Sequence, residues 1–188
     1  NNGAISQTGA LAVTGSSTLN AGSGAITLTN TSNDFVGAVT ATGTGVQITD
    51  ANDLAIAWLA NGANGAVNLI AGGVLTLPAG AIDTGTANLT LNSSGGLLTT
   101  PGALSGANVS LTGHGGVTLN SNVSATGTLS LVSGTAISQG AGIITAGTLT
   151  GSSAGNTTLN RANKIGILGS FSAANFSLVN AQALTVNG

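Results

Sequence analysis

The chain has 188 residues, only 3% of which are Asp, Glu, Lys or Arg, and its formal net charge is −2. Two basic residues are too few for the Lys/Arg surface that nucleic acid requires, so this partner is excluded. The absence of cysteine excludes disulfides and cysteine-ligated metal sites. The positive mean hydropathy argues against disorder, and no run approaches the roughly 18 consecutive apolar residues that suggest a membrane helix.

Pairs of apolar residues separated by one polar residue recur about every 20 residues. Side chains alternate between the two faces of a β-strand, so this spacing predicts strands. A fixed period near 20 is typical of a solenoid, in which each coil buries its apolar face against the next coil. In chain order the pairs are Ile26/Leu28, Val46/Ile48, Val67/Leu69, Leu89/Leu91, Val109/Leu111 and Leu129/Leu131.

A second apolar pair often follows the first by about eight residues, as Leu54/Ile56 and Val117/Leu119 do. Glycine and asparagine, which tolerate the backbone of tight turns, separate the pairs. We therefore predict an all-β fold over residues 1–188, a single parallel β-helix of about nine coils with about 20 residues each. Coils about 4.8 Å apart bring like charges together, so Asn, Thr and Ser columns are expected to replace charged ones.

The stretch from Asp50 to Leu59 also fits a short helix, with Asp50 as its N-cap and Gly62 as its end. We favour a strand, because the matching segment Leu184–Val186 carries β-branched residues.

A longer repeat lies over the coil period. Ala4–Gln7 recurs 132 residues later as Ala136–Gln139, and Asp50–Ile56 matches Asn180–Val186 130 residues later. Residues 1–57 and 133–188 are therefore predicted to be two copies of a super-repeat of about six and a half coils. Neither end carries the polar cap that a solenoid needs, so we expect the chain to be an excerpt of a longer array.

Four Asx residues are the main candidate site residues. Asp50 and Asp53 follow Asn30 and Asn33 by one period, so we expect each pair to share a column. Paired carboxylates could act on polysaccharides or hold Ca²⁺. The favoured interpretation is structural, since Asx side chains cap tight corners by hydrogen-bonding the backbone. We predict ladder and corner roles for these four residues, and no catalytic, cofactor-binding or metal-binding residue.

The other ionisable residues do not form a recognisable motif. Arg161 and Lys164 are expected to be solvated corner residues, and His114 lies in a glycine-rich turn without a second ligand or nucleophile at a telling spacing. An enzyme on this fold would have to bring Asp34, Asp50, Asp53 or Asp83 together in a groove with Arg161 or Lys164.

The repeats resemble those of filamentous-haemagglutinin-like exoproteins, which are large bacterial adhesins exported by two-partner secretion. The resemblance rests on Ala4–Gln7, Ile26–Asn30, Asn33–Val39 and Val46–Asn52. It implies a right-handed parallel β-helix shaft, secreted or exposed on the bacterial cell surface.

The expected function is accordingly a non-catalytic shaft or fibre segment that serves adhesion or filament and biofilm assembly. Expected partners are neighbouring repeats or further copies stacked end to end, and a host or matrix glycan or protein receptor. Nucleic-acid binding and membrane insertion are not expected. The alternative is a β-helix that binds or cleaves polysaccharide.

Overall fold

The computed structural model describes residues 2–188, which form 22 β-strands and no helix. The strands are β1 (Ile5–Ser6), β2 (Ala12–Val13), β3 (Ser17–Asn20), β4 (Ile26–Leu28), β5 (Asp34–Phe35), β6 (Val39–Gly43), β7 (Val46–Asp50), β8 (Leu54–Asn61), β9 (Val67–Ala71), β10 (Leu75–Thr76), β11 (Ile82–Asp83), β12 (Leu89–Ser93), β13 (Leu97–Thr100), β14 (Leu104–Gly106), β15 (Val109–Gly113), β16 (Gly116–Leu119), β17 (Val123–Ser133), β18 (Ile137–Gln139), β19 (Ile144–Ser153), β20 (Thr157–Ser172), β21 (Phe176–Asn180) and β22 (Thr185–Val186).

The strands stack as a parallel β-helix of nine coils, each about 20 residues long. Each coil contributes in chain order to three faces, which we name A, B and C. Face A, which begins each coil, contains β1, β4, β7, β9, β12, β15 and the last part of β17, β19 and β20. β22 continues face A. Face B contains β2, β5, the first part of β8, β10, β13, β16, β18, the first part of β20 and β21. Face C contains β3, β6, the last part of β8, β11, β14, the first parts of β17 and β19 and the middle of β20. The predicted fold class and coil length are confirmed.

The apolar pairs of the sequence form the core. On face A, Val46, Val67, Leu89, Val109 and Leu129 pair in register from coil to coil, and each is at most 1% exposed. The alternating polar residues face outward, as strand geometry requires. Half-buried apolar side chains packed against this core lie in the first and last coils: Ile5, Leu11, Val13, Leu19, Leu168, Phe171, Leu178 and Leu184.

The stretch that resembled a helix is part of strand β8, which runs over Leu54–Asn61. The helix alternative is wrong, because Leu54 pairs with Leu75 and Ile56 pairs with Val39. The pattern looked helical because Ala57 is an extra residue in the ladder, so the pairing resumes at Trp58 opposite Thr40. This bulge shifts the apolar spacing along the strand.

One corner shows why an Asx residue replaces glycine at a turn. Asn64 has φ = 60°, a left-handed conformation that asparagine tolerates better than most residues. Its Oδ1 accepts a hydrogen bond from the Thr86 N–H at 2.9 Å, one coil further along. The same side chain leaves no room for a Cβ at Gly85, where one would lie 2.4 Å from that oxygen.

Candidate functional site: a repeated buried corner

A pair of amide side chains lies at the corner between faces A and B of the first two coils. The Gln7 Nε2 donates to the Asn33 Oδ1 at 2.7 Å, and the Asn33 Nδ2 donates back to the Gln7 Oε1 at 3.0 Å. The two groups therefore join adjacent coils by a reciprocal pair of hydrogen bonds.

Asn33 is fully buried, and its remaining hydrogen bonds go to the backbone. Its Oδ1 accepts from the Leu11 N–H at 3.0 Å, and its Nδ2 also donates to the carbonyls of Leu28 and Thr49, each at 3.1 Å. This one side chain thus contacts three successive coils. Because a buried polar group without partners is costly, the satisfied network fixes the path of the chain at this corner.

Asp50 extends the corner into the third coil. It is 2% exposed, its Oδ2 accepts from the Phe35 N–H at 2.7 Å, and its Oδ1 accepts from the Asn52 N–H at 2.8 Å. Both carboxylate oxygens therefore cap backbone groups. The geometry is that of a corner cap and leaves neither oxygen directed at a substrate.

The same network recurs in the second half of the chain. Gln139 and Asn163 form the same reciprocal pair, at 2.7 and 3.1 Å. Asn163 also accepts from the Ile144 N–H and donates to the carbonyls of Leu159 and Val179. The correspondence extends to the partners on all three coils.

Asn180 takes the place of Asp50 in this second corner. Its Oδ1 accepts from the Ile165 N–H at 2.9 Å, as Asp50 accepts from Phe35, and its Nδ2 donates to the carbonyls of Ile165 and Gln182. The carboxylate is therefore replaceable by a neutral amide at this position.

The two corners lie on different edges of the solenoid. Ile5, just before Gln7, pairs with Ile26 on face A, whereas Ile137, just before Gln139, pairs with Val117 on face B. The interval between the two networks is therefore six coils plus one face, rather than a whole number of coils. The two sequence copies, 1–57 and 133–188, stay a prediction. The second network lies about a third of a turn further around the solenoid than the first.

The predicted columns of the four Asx residues need correction. Asn30 caps its own corner through a 2.9 Å bond from the Ser32 N–H. The carbonyl of Asn33 accepts from the Ala51 N–H at 2.7 Å, so the chain beside Asn33 is Asp50–Ala51 and not Asp53. Coil 2 contains extra corner residues before Asn33, so Asn33 is separated from its neighbour in coil 3 by fewer residues than the coil period. Asp53 is exposed and caps the Val74 N–H of the next coil at 2.7 Å.

Asp34, Asp50 and Asp53 lie in the adjacent coils 2 and 3, whereas the fourth carboxylate and the two cations lie further along the stack. Asp83 and Lys164 lie in one outward column of face C, continued by Ser105, Ser124 and Thr145 between them. Four coil steps separate them by about 19 Å. Within residues 2–188, no group of three His, Asp or Glu side chains could hold a metal ion.

Asp83 is held in its ionised form by neighbouring donors. Its Oδ1 accepts from the Gly85 N–H at 3.0 Å and from the Ser105 hydroxyl at 2.7 Å, and these bonds lower the pKa of the carboxyl. Arg161, by contrast, donates from its guanidinium to the carbonyl of Gly140, and His114 is an exposed corner residue.

Neutral columns occur where charge is missing, as expected. The Asn108 Nδ2 donates to the Asn88 Oδ1 at 3.0 Å, and the Asn175 Nδ2 donates to the Asn156 Oδ1 at 2.8 Å. Both bonds join adjacent coils, so the predicted Asn ladders are confirmed at these two places.

Comparison with known families identifies a repeat. A family model described as repeats of unknown function (DUF5649) matches residues 1–42 and 106–172, more than half of the chain. The chain belongs to this family. No curated protein and no solved structure matches it. The two matched segments of this DUF5649 chain contain Gln7 and Asn33 in one case and Gln139 and Asn163 in the other.

Burial of the two glutamines and of Asn163 was not predicted from the sequence. The available signal was the recurrence of Gln7 within Ala4–Gln7 and of Gln139 within Ala136–Gln139. A polar residue that ends two copies of an apolar strand is a candidate for a shared buried bond.

Among the described residues of this DUF5649 chain, no helix is long and apolar enough to cross a membrane.

Proposed function

We propose that this chain is a shaft segment of a secreted or surface-exposed bacterial adhesin. It provides reach and rigidity, serves adhesion or filament and biofilm assembly, and has no catalytic activity. The observation that carries the proposal is the single parallel ladder that continues on face A through all nine coils. Such a stack propagates by nearest-neighbour contacts and gains length with each added coil.

The distribution of polar groups supports this proposal. The buried amides and Asp50 are used in corner bonds, and Asp83 and Lys164 lie about 19 Å apart. The resemblance to haemagglutinin-like repeats supports the extracellular bacterial location.

The proposed partners are neighbouring repeats or copies of the chain stacked end to end, together with a glycan or protein receptor. Support for stacking comes from the coil-to-coil ladder itself, in which each strand of face A pairs in register with the same strand of the next coil.

The proposal is tested in the source bacterium by deleting residues 2–188 in frame from the native protein. We expect export to persist and attachment to host cells or matrix to fall several-fold. As a control, the segment is replaced by an unrelated solenoid of nine coils, which should restore attachment if the segment acts through reach. Unchanged attachment after deletion would contradict the proposal, and so would a native protein that is retained inside the cell.

The alternative, polysaccharide binding or cleavage, is tested with the purified chain. A glycan array measures binding, and release of reducing ends from bacterial and host polysaccharides measures cleavage. The shaft proposal predicts no cleavage. Cleavage that is lost in Asp83→Asn or Asp53→Asn, the two exposed carboxylates that cap loops, would favour the enzyme instead.

A further inference from the structure

Neighbouring coils are joined unequally along the stack. From coil 5 to coil 8, every junction carries a parallel ladder on all three faces. Coil 4, which contains β9, β10 and β11, is joined differently. Its face C strand β11 is not paired with β8 of coil 3, and its face B strand β10 is not paired with β13 of coil 5. Coil 4 therefore lies between two gaps in the ladders, one on each side and each on a different face.

Face A continues through both of these junctions. Strands β7, β9 and β12 pair in register over five residues each. One further ladder remains at each junction, on face B between coils 3 and 4 and on face C between coils 4 and 5. Face A is therefore the face that is paired on both sides of coil 4.

The gap on face B follows from a change in register. The Gly95 N–H donates to the Gly73 carbonyl and fixes the register where face B begins. The inward Leu75 comes two residues after Gly73, whereas the inward Leu98 comes three residues after Gly95. Coil 5 thus has one extra residue, and Pro101 at the far end of β13 has no N–H to donate to coil 4.

Side-chain hydrogen bonds bridge both gaps. On face B, the buried Ser93 hydroxyl of coil 5 accepts from the Leu75 N–H of coil 4 at 3.1 Å. On face C, the Asn61 Nδ2 of coil 3 donates to the Asp83 carbonyl of coil 4 at 2.6 Å. A side-chain bond thus stands at each gap where a laddered junction has several backbone bonds.

A third unpaired junction, between β5 and β8, belongs to the repeated corner. There Asp50 caps the Phe35 N–H, as Asn180 caps the Ile165 N–H in the second corner. The two gaps beside coil 4 lie instead within residues 43–105, the interval between the two DUF5649 segments. Coil 4 therefore lies between two stretches of regular repeat.

The gaps are closed in this structure, because the apolar core continues past them. Leu75 and Leu98, the inward residues on either side of the face B gap, are 2% and 0% exposed. Opening this gap breaks a side-chain bond and uncovers a few apolar residues. Opening a laddered junction breaks a row of backbone bonds as well, so the gaps are the places where the stack opens most easily.

We propose that coil 4 is a joint at which the shaft bends toward face A. Between coils 3 and 4 the paired faces are A and B, so the junction can open on face C. Between coils 4 and 5 the paired faces are A and C, so the junction can open on face B. Face A is the hinge of both movements, and both tilt the coils in its direction.

The first test measures distances between pairs of spin labels, since the chain has no cysteine of its own. Gln47→Cys with Thr150→Cys marks face A, and Ala55→Cys with Thr158→Cys marks face B. Each pair joins coil 3 to coil 8, five coil steps or about 24 Å apart. Double electron–electron resonance should give a distance distribution on face B about twice as wide as that on face A. Equal widths on the two faces would overturn the proposal.

The second test removes the bridge at the face B gap. Ser93→Ala should widen the distribution of the face B pair further and leave that of the face A pair unchanged. Ser133→Ala is the matched control, because Ser133 lies in the same column two coils further on, is also buried, and donates to Ala136 within its own coil. Equal widening by Ser93→Ala and Ser133→Ala would show general loosening of the stack and would overturn the joint.

The face C gap provides a separate variant. Asn61→Ala removes the bond to the Asp83 carbonyl and should widen the distribution between Thr40→Cys in coil 2 and Thr145→Cys in coil 7, both on face C. An unchanged distribution in Asn61→Ala would contradict a joint at this gap. All three measurements use the purified chain, so their outcome is independent of the proposed adhesin function.

Discussion

At the scale of single residues, the stack is organised by a few buried polar side chains. Asn33 and Asn163 each bond to three successive coils, and each has a glutamine partner. The neutral amide suits this role, because it both donates and accepts at the corner without bringing a charge into the stack.

Removing Asn33 tests this role. Asn33→Ala leaves the Gln7 amide, the Leu11 N–H and two carbonyls without their partner. We expect the free energy of unfolding to fall by about 3 kcal/mol, since each unsatisfied buried group costs about 1–3 kcal/mol. Asn88→Ala, which removes one exposed side-chain bond, should cost less than about 1 kcal/mol. Equal effects in urea unfolding would contradict the account.

Asp50 allows a finer test of charge against hydrogen bonding. Asp50→Asn keeps an oxygen that can accept from the Phe35 N–H, and Asn180 makes the equivalent bond in the second corner. We expect Asp50→Asn to change the unfolding free energy by less than about 1 kcal/mol and Asp50→Ala to lower it by about 2 kcal/mol. If both variants are equally destabilised, the carboxylate charge itself is required.

Asp83 predicts a pH dependence. The Gly85 N–H and the Ser105 hydroxyl lower its pKa in the folded state, so the folded chain binds this proton less readily than the unfolded chain. The stabilisation is present above the ordinary pKa of 3.8 and is lost as the pH falls through the lower folded value. Thermal melts between pH 5 and pH 2.5 should show a steeper decline for the wild type than for Asp83→Asn. Parallel declines would show that Asp83 does not contribute.

At the scale of the coil, sequence period and structural period coincide. The pairs from Ile26/Leu28 to Leu129/Leu131 could be predicted from the sequence. The spacing within a pair reflects strand alternation, and the spacing between pairs reflects the coil length. The bulge at Ala57 could not be predicted, because it depends on one extra residue relative to the neighbouring coil. The register of a coil is a property of two coils together.

The candidate site shows the same division. The corner roles of Asn30 and Asp50 follow from Asx chemistry alone. The burial of Gln7 and Gln139 does not, because each glutamine finds its asparagine 26 or 24 residues further along, on the next coil. A single sequence gives no direct sign of such a pair.

Removing a whole coil tests the register. Val109 pairs with Leu129, so deletion of residues 109–128 joins one complete coil to the next and should leave a cooperatively unfolding β-protein about 4.8 Å shorter. Deletion of residues 109–118 removes half a coil and should abolish cooperative unfolding. Circular dichroism with urea titration measures both. Similar behaviour of the two deletions would argue against a continuous stack.

At the scale of the whole molecule, the two corner networks relate distant parts of the shaft. An interval of six coils plus one face places the second network about a third of a turn from the first, so the two corners lie on different edges. Any feature carried by this unit would be presented around the shaft and not along one side.

The central claim, an extracellular shaft built of stacked coils, is tested most directly by cryo-electron microscopy of intact source cells. The cells are labelled with an antibody fragment raised against this chain. The account predicts that the label binds thin rods projecting from the cell envelope, with a coil spacing of about 4.8 Å in averaged segments. Label confined to the cell interior, or bound to compact particles without an axial repeat, would contradict it.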